Sequence, residues 1–274
     1  VHKTLFVIAA GLAVRFNGKP KHLAEVKKVT VLDNTLSLAR PWYSDIHVIV
    51  NCQADPAVFR TTQTIALVHG AYINEIPSGK GDADAVYRSL VKTGVDDSNV
   101  SICWGDAWFK NSTIFERASK SLESDKSKMT FEAMCAVEDN PYGWFELEDD
   151  NVTIRRATFA HDRSCAAVKV GVVHDQCFFN INVNNFKQLF EAYERAILAE
   201  KTEIENDIAS HYCSLYKFKL NYEVSWYKMI NWALMSQQSN SDFHKRRSIV
   251  NMLAQPCAMS FNTEEDLMEI EKNA

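Results

Sequence analysis

Lys3-Thr4-Leu5-Phe6-Val7-Ile8-Ala9-Ala10 is an apolar run that stops at Gly11. A short run without alternation is the form of a strand buried on both faces, and such strands belong to parallel sheets covered by helices. The theme recurs down the chain. Asp33 to Arg40 reads as a helix stopped by Pro41, Ile46 to Val50 as a second buried strand, and Ala66-Leu67-Val68 as a weaker one. Asp82 to Lys92 sets Ala83, Val86, Leu90 and Val91 at helical spacing, and Asn99 to Trp104 is another strand, ended by Gly105-Asp106. This alternation over residues 3–110 predicts an α/β fold, with a mainly parallel sheet covered on both faces. The loops after Ala10, Val50 and Trp104 then share one rim, outside the carboxyl ends of the strands, where such sheets bind ligands.

The second half changes character. Met129 to Val137, Trp144 to Leu147, Val152 to Arg155, Ala167 to Val173 and Cys177 to Ile181 look like strands of a more antiparallel region. Asn184 to Lys201 and Glu203 to Tyr216 read as helices, and Ser236 to Asp242 as a polar turn. No repeat or linker divides the chain, so a single domain over residues 1–274 is expected, with a first half at 1–110 and a second half with C-terminal helices at 111–274. Hydrophobic residues at 46% and charged residues at 24% are ordinary for a globular protein. A net charge of −5 argues against a nucleic-acid binder working through bulk positive charge. Seven scattered cysteines with no C-x-x-C pair read as reduced thiols. Val1 to Ala10 lacks the length and cleavage pattern of a signal peptide, and no apolar run approaches a bilayer span. The expectation is a cytoplasmic protein with no membrane or nucleic-acid partner.

The residues that suggest chemistry lie on the rim. After the first strand, small residues at Ala10, Gly11 and Ala13 let backbone N–H groups approach phosphate, and Arg15 and Lys21 add two cations. A loop with ordinary solvated cations explains the same letters. Gly79-Lys80-Gly81-Asp82-Ala83 opens a helix whose N-terminus offers free N–H donors; a capped helix without ligand fits equally. Gly105-Asp106 sets one carboxylate at a strand end, which is enough to begin a magnesium site, although such a pair is commonly a turn. His69, His161, His174 and His211 share no metal-ligand spacing, and His244 to Arg247 reads as a solvated helix face.

Taken in order, VIAAGLAVRFNGKPKHL, GKGDADA and WGD resemble the signature segments of the nucleotidyltransferases that act on sugar phosphates and related phosphorylated alcohols. Ala9, Ala10, Gly11, Arg15, Pro20 and Lys21 match that family's opening pattern, while Ala13 stands in place of a second glycine and Val14 in place of Thr or Ser. The resemblance covers residues 3–110. It implies a Rossmann-like sheet that holds a nucleoside triphosphate on Ala10, Gly11, Leu12, Ala13, Val14, Gly79, Gly81, Asp82 and Ala83. Lys21, Arg15 and Asp106 are its implied catalytic residues, with Asp106 on Mg2+. The implied reaction transfers a nucleotide, CTP favoured over UTP or dTTP, to a phosphorylated small molecule. Family members are often dimers, so a homodimer is allowed. Asn140 to Leu147 looks like the family's acceptor segment, and a plain turn fits it as well.

The second metal ligand has two candidates. Trp226 to Asn231 resembles the W-x-D segment of many relatives, with Lys228 where the aspartate would stand. Phe261-Asn262-Thr263-Glu264-Glu265-Asp266-Leu267 resembles the N/D-T-x-E-D-L element of others, with Asn262 as the ligand. A helix capped by Thr263 accounts for the latter letters too. The departures at Ala13, Val14 and Lys228 leave an alternative: a nucleotide-binding subunit of the same fold that has lost catalysis and serves in regulation or assembly.

Overall fold

The computed structural model describes residues 2–11, 16, 19–77, 81–95, 98–124, 129–139, 141, 143–159, 170–199, 226–236 and 247–273. β1 (Thr4–Ile8) is followed by a 3-10 turn at Lys21–Leu23, the small hairpin β2 (Glu25–Val26) and β3 (Val29–Thr30), and α1 (Val31–Ala39). β4 (Asp45–Asn51), α2 (Pro56–Val68), β5 (Tyr72–Ile76), α3 (Asp82–Thr93) and β6 (Asn99–Trp104) complete the alternating half. Then come β7 (Ala107–Phe109), α4 (Thr113–Ser121), β8 (Met129–Glu138), β9 (Gly143–Leu147), β10 (Ile154–Phe159) and β11 (Val172–Asn182). The described chain closes with α5 (Val183–Ala199), α6 (Trp226–Ser236), β12 (Arg247–Met252), β13 (Ala258–Ser260) and α7 (Glu264–Asn273).

One sheet of nine strands runs through both halves, in the order β10-β9-β11-β6-β1-β4-β5, with β8 paired to β11 and β12 to β8. β6, β1, β4 and β5 are parallel, and β11 joins β6 antiparallel. β1 is buried along its whole length because its alternate residues face different helices. Phe6 and Ile8 pack with Val86 and Leu90 of α3 and with residues of α5 and α6, while Leu5 and Val7 pack with Leu32 and Leu36 of α1 and with α4. This two-sided burial is what a continuous apolar run encodes.

The winding also defines the rim. From β1 the chain steps to β4 and β5 on one side, with α1 and α2 contributing to one core, then returns through α3 on the other face to β6, on the opposite side of β1. The strand order therefore reverses between β1 and β6, which opens a crevice at their carboxyl ends.

Several elements differ from the sequence reading. Ala66 to Val68 is the last turn of α2 and not a strand. Pro56 at the first turn and the Asp55 carboxylate, accepting from Ala57 N at 2.7 Å, start that helix ten residues earlier, and it carries the β-branched residues through. The strand is Tyr72–Ile76, parallel to β4. Val172 to Asn182 is one strand with a bulge between Asp175 and Phe179, where two strands were expected. Arg247 opens β12 and is no part of a helix face. The expected helix at 203–216 lies outside the described residues, as do 237–242 of the expected turn, residues 160–169, His161, His211 and His244 to Arg246.

Candidate active site

Asp106 is set by a turn that packs tightly at the glycine beside it. Gly105 N donates to Ile8 O at 2.8 Å, which closes the turn onto the end of β1. A Cβ on Gly105 would stand 3.0 Å from that same oxygen and 3.1 Å from Val7 Cγ1, so a side chain there needs the end of β1 to give by a few tenths of an ångström. The close approach delivers Asp106 to the crevice between β1 and β6, with its side chain 38% exposed.

Lys21 comes from the other side. Pro20 is extended, and the 3-10 turn after it is closed by Leu23 N donating to Pro20 O at 3.0 Å. His22, next along, is buried and anchors the turn to α2 through Thr62 Oγ1 at 2.9 Å. Thr62 spends its own proton on Val58 O, so the imidazole Nε2–H is the donor. Burial pushes the His22 pKa down to about 4, and the Asp106 carboxylate, pulling the other way, does not offset it. The imidazole is neutral beside the Lys21 ammonium, which avoids setting two cations together.

The last wall is C-terminal. β13 pairs antiparallel with β7, Ser260 opposite Ala107 and Met259 opposite Trp108, so Phe261 and Asn262 run on alongside Asp106. Phe261 is buried edge-on to Phe16, their centroids 5.5 Å apart, in a small core with Val26, Val31, Trp108 and Ile270. That core fastens the C-terminal segment to the first loop, and an exposed ion pair from Lys19 to Glu264 at 2.5 Å joins them again.

These three elements meet at one atom. Lys21 Nζ donates to Phe261 O at 2.6 Å, Asn262 Oδ1 at 2.9 Å and Asp106 Oδ2 at 3.3 Å. An ammonium has three protons, and each finds an oxygen. The lysine side chain is 11% exposed and its Nζ lies 5.5 Å from the Phe261 ring centroid. The arrangement is a cation held by hard oxygen donors at the crevice where the strand order reverses.

The remaining rim residues are placed as follows. Ala10 is half-buried and Gly11 exposed, and a Cβ on Gly11 would meet nothing within 4 Å. Leu12, Ala13, Val14, Arg15 and Gly79 lie outside the described residues. Gly81 starts α3 at φ 139°, a backbone that favours glycine. Asp82 Oδ1 accepts from Ala83 N and from Trp226 N, both at 2.8 Å, so this carboxylate ties α6 to α3. Ala83 is fully buried in the core. Of the two late segments, the one carrying Asn262 meets Lys21. Trp226, at the start of the Lys228 segment, is buried against Trp104, Phe131, Phe179 and Phe186.

One neighbourhood escaped the sequence reading. Phe178 pairs with Cys103, so the bulge at Asp175 to Cys177 runs alongside Trp104 and Gly105 on the same rim. Cys177 holds φ 54°, its N–H donating to Asp175 Oδ1 at 2.9 Å, and Tyr227 Oη donates to Asp175 Oδ2. His174 Nδ1 donates to Gly143 O at 2.5 Å. Glu138, His174, Asp175 and Ser260 are among the residues lining a cavity of about 260 Å3 here. An extra pair of residues in one strand leaves no trace in periodicity, and only the unusual density of polar residues from His174 to Gln176 could have drawn attention to it.

No protein-family model matches the sequence, and no curated protein matches it. Solved structures do. CTP:phosphocholine cytidylyltransferase from Streptococcus pneumoniae superposes with a TM-score of 0.61 at 11% identity, over 100% of this chain and 99% of that one. A protein described as a glucose-1-phosphate thymidylyltransferase from Bacillus anthracis, in complex with sucrose, gives 0.65 at 13% identity, over 100% and 95%. A UDP-glucose pyrophosphorylase complexed with UDP-glucose gives 0.62 at 11%, over 100% and 98%. The chain therefore has, from end to end, the fold of the nucleotidyltransferases on which it superposes.

Proposed function

We propose that this chain is a magnesium-dependent nucleotidyltransferase that moves a nucleotide from an NTP, CTP first among the candidates, onto a phosphorylated small molecule and releases pyrophosphate. The observation that supports it most is the meeting of Lys21, Asp106 and Asn262 at the crevice between β1 and β6. A sugar 1-phosphate or a small phosphorylated alcohol or amine is the acceptor class.

The donor set suits the ion. Asp106 supplies a carboxylate oxygen and Asn262 an amide oxygen, and magnesium takes one or two such ligands together with phosphate oxygens. Bound there, Mg2+ would neutralise charge developing on the phosphates.

The chain's own residues do the rest by positioning and charge. An oxygen of the acceptor phosphate attacks the α-phosphorus in line; that P–O bond forms as the bond to the β-phosphate oxygen breaks, and pyrophosphate leaves with the electron pair. The attacking phosphate is already anionic at neutral pH, so no general base is needed. Lys21 leaves its three oxygens to pair with the α-phosphate and acceptor phosphate. Arg15 steadies the departing pyrophosphate. The backbone N–H groups of Ala10 and Gly11, and by the family resemblance those of Leu12 to Val14, are the proposed phosphate donors, and Gly11 has open space where a Cβ would be. Gly81, Asp82 and Ala83, at the start of α3, are the proposed contacts on the base side, with Gly79 assigned by the family resemblance alone.

A thermal-shift panel of CTP, UTP, dTTP, ATP and GTP, each with and without Mg2+, tests this without an acceptor. A ligand that binds only the folded state raises its melting temperature by mass action. One NTP giving a magnesium-dependent rise is expected. No rise with any of the five would discard the enzymatic reading in favour of a subunit that has lost the site.

A further inference from the structure

We propose that Asp266 is a positioning residue for the Lys21–Asp106–Asn262 centre and acts through the backbone of Asn262. α7 begins at Glu264 with Thr263 as its N-cap, and Thr263 Oγ1 accepts from Asp266 N at 3.1 Å. In return Asp266 Oδ2 accepts from Thr263 N at 3.1 Å, the reciprocal pair of a capping box. The same oxygen makes a shorter bond, 2.8 Å, to the N–H of Asn262, one residue outside the box. A helix cap has no need of that bond. It fixes the peptide unit between Phe261 and Asn262, and the carbonyl on the other end of that unit, Phe261 O, is the shortest partner of Lys21 at 2.6 Å. The Asn262 side chain, leaving the same backbone, supplies the second partner at 2.9 Å. One carboxylate therefore holds a single peptide plane from its N–H side, and two of the three oxygens around the ammonium are carried by that plane or its Cα.

The alternative is that Asp266 only stabilises α7, and two variants separate these roles. Thr263→Ala removes the acceptor for Asp266 N but leaves the Asp266 carboxylate on Asn262 N. Asp266→Ala removes both halves of the box and frees the Asn262 peptide. Both should lower the melting temperature of the whole chain. Only Asp266→Ala should loosen the centre.

The chemical consequence rests on the nucleotidyl-transfer reading; the geometric one does not, so two readouts are used. The first is the Mn2+ concentration that gives half-maximal thermal stabilisation at fixed CTP. Outer-shell partners of metal ligands are worth roughly 10–100-fold in affinity, and Asp266→Ala should raise the requirement by that order while Thr263→Ala leaves it at the parent value. Asp266→Asn, which keeps an oxygen acceptor, should restore most of it. The second is proton exchange of the Lys21 ammonium, followed by nitrogen-edited NMR in the free protein. Held by three oxygens in the parent, the ammonium should exchange faster in Asp266→Ala and at the parent rate in Thr263→Ala. Equal effects of the two variants, or parent values for Asp266→Ala in both readouts, would overturn the proposal. If the parent shows no response to Mn2+ with any NTP, the enzymatic reading fails by itself, and the ammonium exchange alone decides the role of Asp266.

Discussion

At the scale of single residues, the centre is economical: one ammonium and three oxygens, one presented by the turn at Gly105 and two by the Phe261–Asn262 peptide unit. Gly105 presents Asp106 by contact with Ile8, and its replacement by alanine forces a Cβ to within 3.0 Å of a backbone oxygen. Gly105→Ala should cost about 1–3 kcal/mol, the range for overpacking a filled site, seen as a lower urea midpoint, and should weaken nucleotide binding as Asp106 shifts. Lys21 occupies the oxygens that would ligate magnesium, so the ion and the ammonium compete in the free protein. Lys21→Met should therefore bind Mn2+ alone more tightly than the parent, by electron paramagnetic resonance, while losing transferase activity. Equal Mn2+ affinity in the two would mean that the oxygens around Lys21 are not the metal site. Lys21 and Asp106 were legible because each follows a recognisable segment. Asn262 was ambiguous against Lys228, because both late segments resemble elements of the family, and it is the register of β13 on β7 that puts the Asn262 segment beside Lys21.

At the scale of elements, α6 links the two halves. The backbone N–H of Trp226 is held by Asp82 of α3, the Tyr227 hydroxyl by Asp175 of β11, and the Asn231 side chain bonds both N and O of Ala157 in β10, at 2.9 and 2.6 Å. Trp226 fills the space between Trp104, Phe131, Phe179 and Phe186 and is fully buried. Trp226→Ala should cost about 3–5 kcal/mol, as large aromatic truncations do, and should blunt any nucleotide-induced shift because α3 and β6 both lose support. A melting temperature unchanged from the parent would contradict this packing. Long periodic segments such as α3 and α5 were readable, as were strands buried on both faces. α2 was not, since its helix is dictated by the Asp55 cap and Pro56, while Leu67 and Val68 at its end are exposed. β5 shows neither a long apolar run nor clean alternation, and it exists because β4 offers an edge.

At the scale of the whole molecule, the reversal of strand order between β1 and β6 opens the crevice in which Lys21, Asp106 and Asn262 meet; the alternation in the first half of the sequence announces the rim but not the strand order. What the sequence withheld is how the last strand and helix fold back to complete the rim, a contact between residues about 240 positions apart that no local pattern encodes. The turn that carries Lys21 also buries His22, bonded to Thr62 of α2, with a consequence for stability. Its pKa of about 4 in the fold lies below the ordinary value of 6.5. Below pH 6.5 the unfolded chain binds a proton that the folded chain refuses, so stability should fall as pH drops from about 6.5 to 4, by on the order of 3 kcal/mol. Urea midpoints across that range in the parent and in His22→Gln should diverge at neutral pH and converge in acid; parallel profiles would place a charged imidazole in the fold. The central claim, that Lys21, Asp106 and Asn262 carry out nucleotidyl transfer, is met most directly by pyrophosphate release. The NTP that binds is supplied with Mg2+ and a panel of sugar 1-phosphates, phosphorylated alcohols and phosphorylated amines, to the parent and to Asp106→Ala. Turnover with one acceptor class in the parent, reduced at least roughly a hundredfold in a variant that keeps its melting temperature, is the expected result. Release at the parent rate by Asp106→Ala would contradict the account.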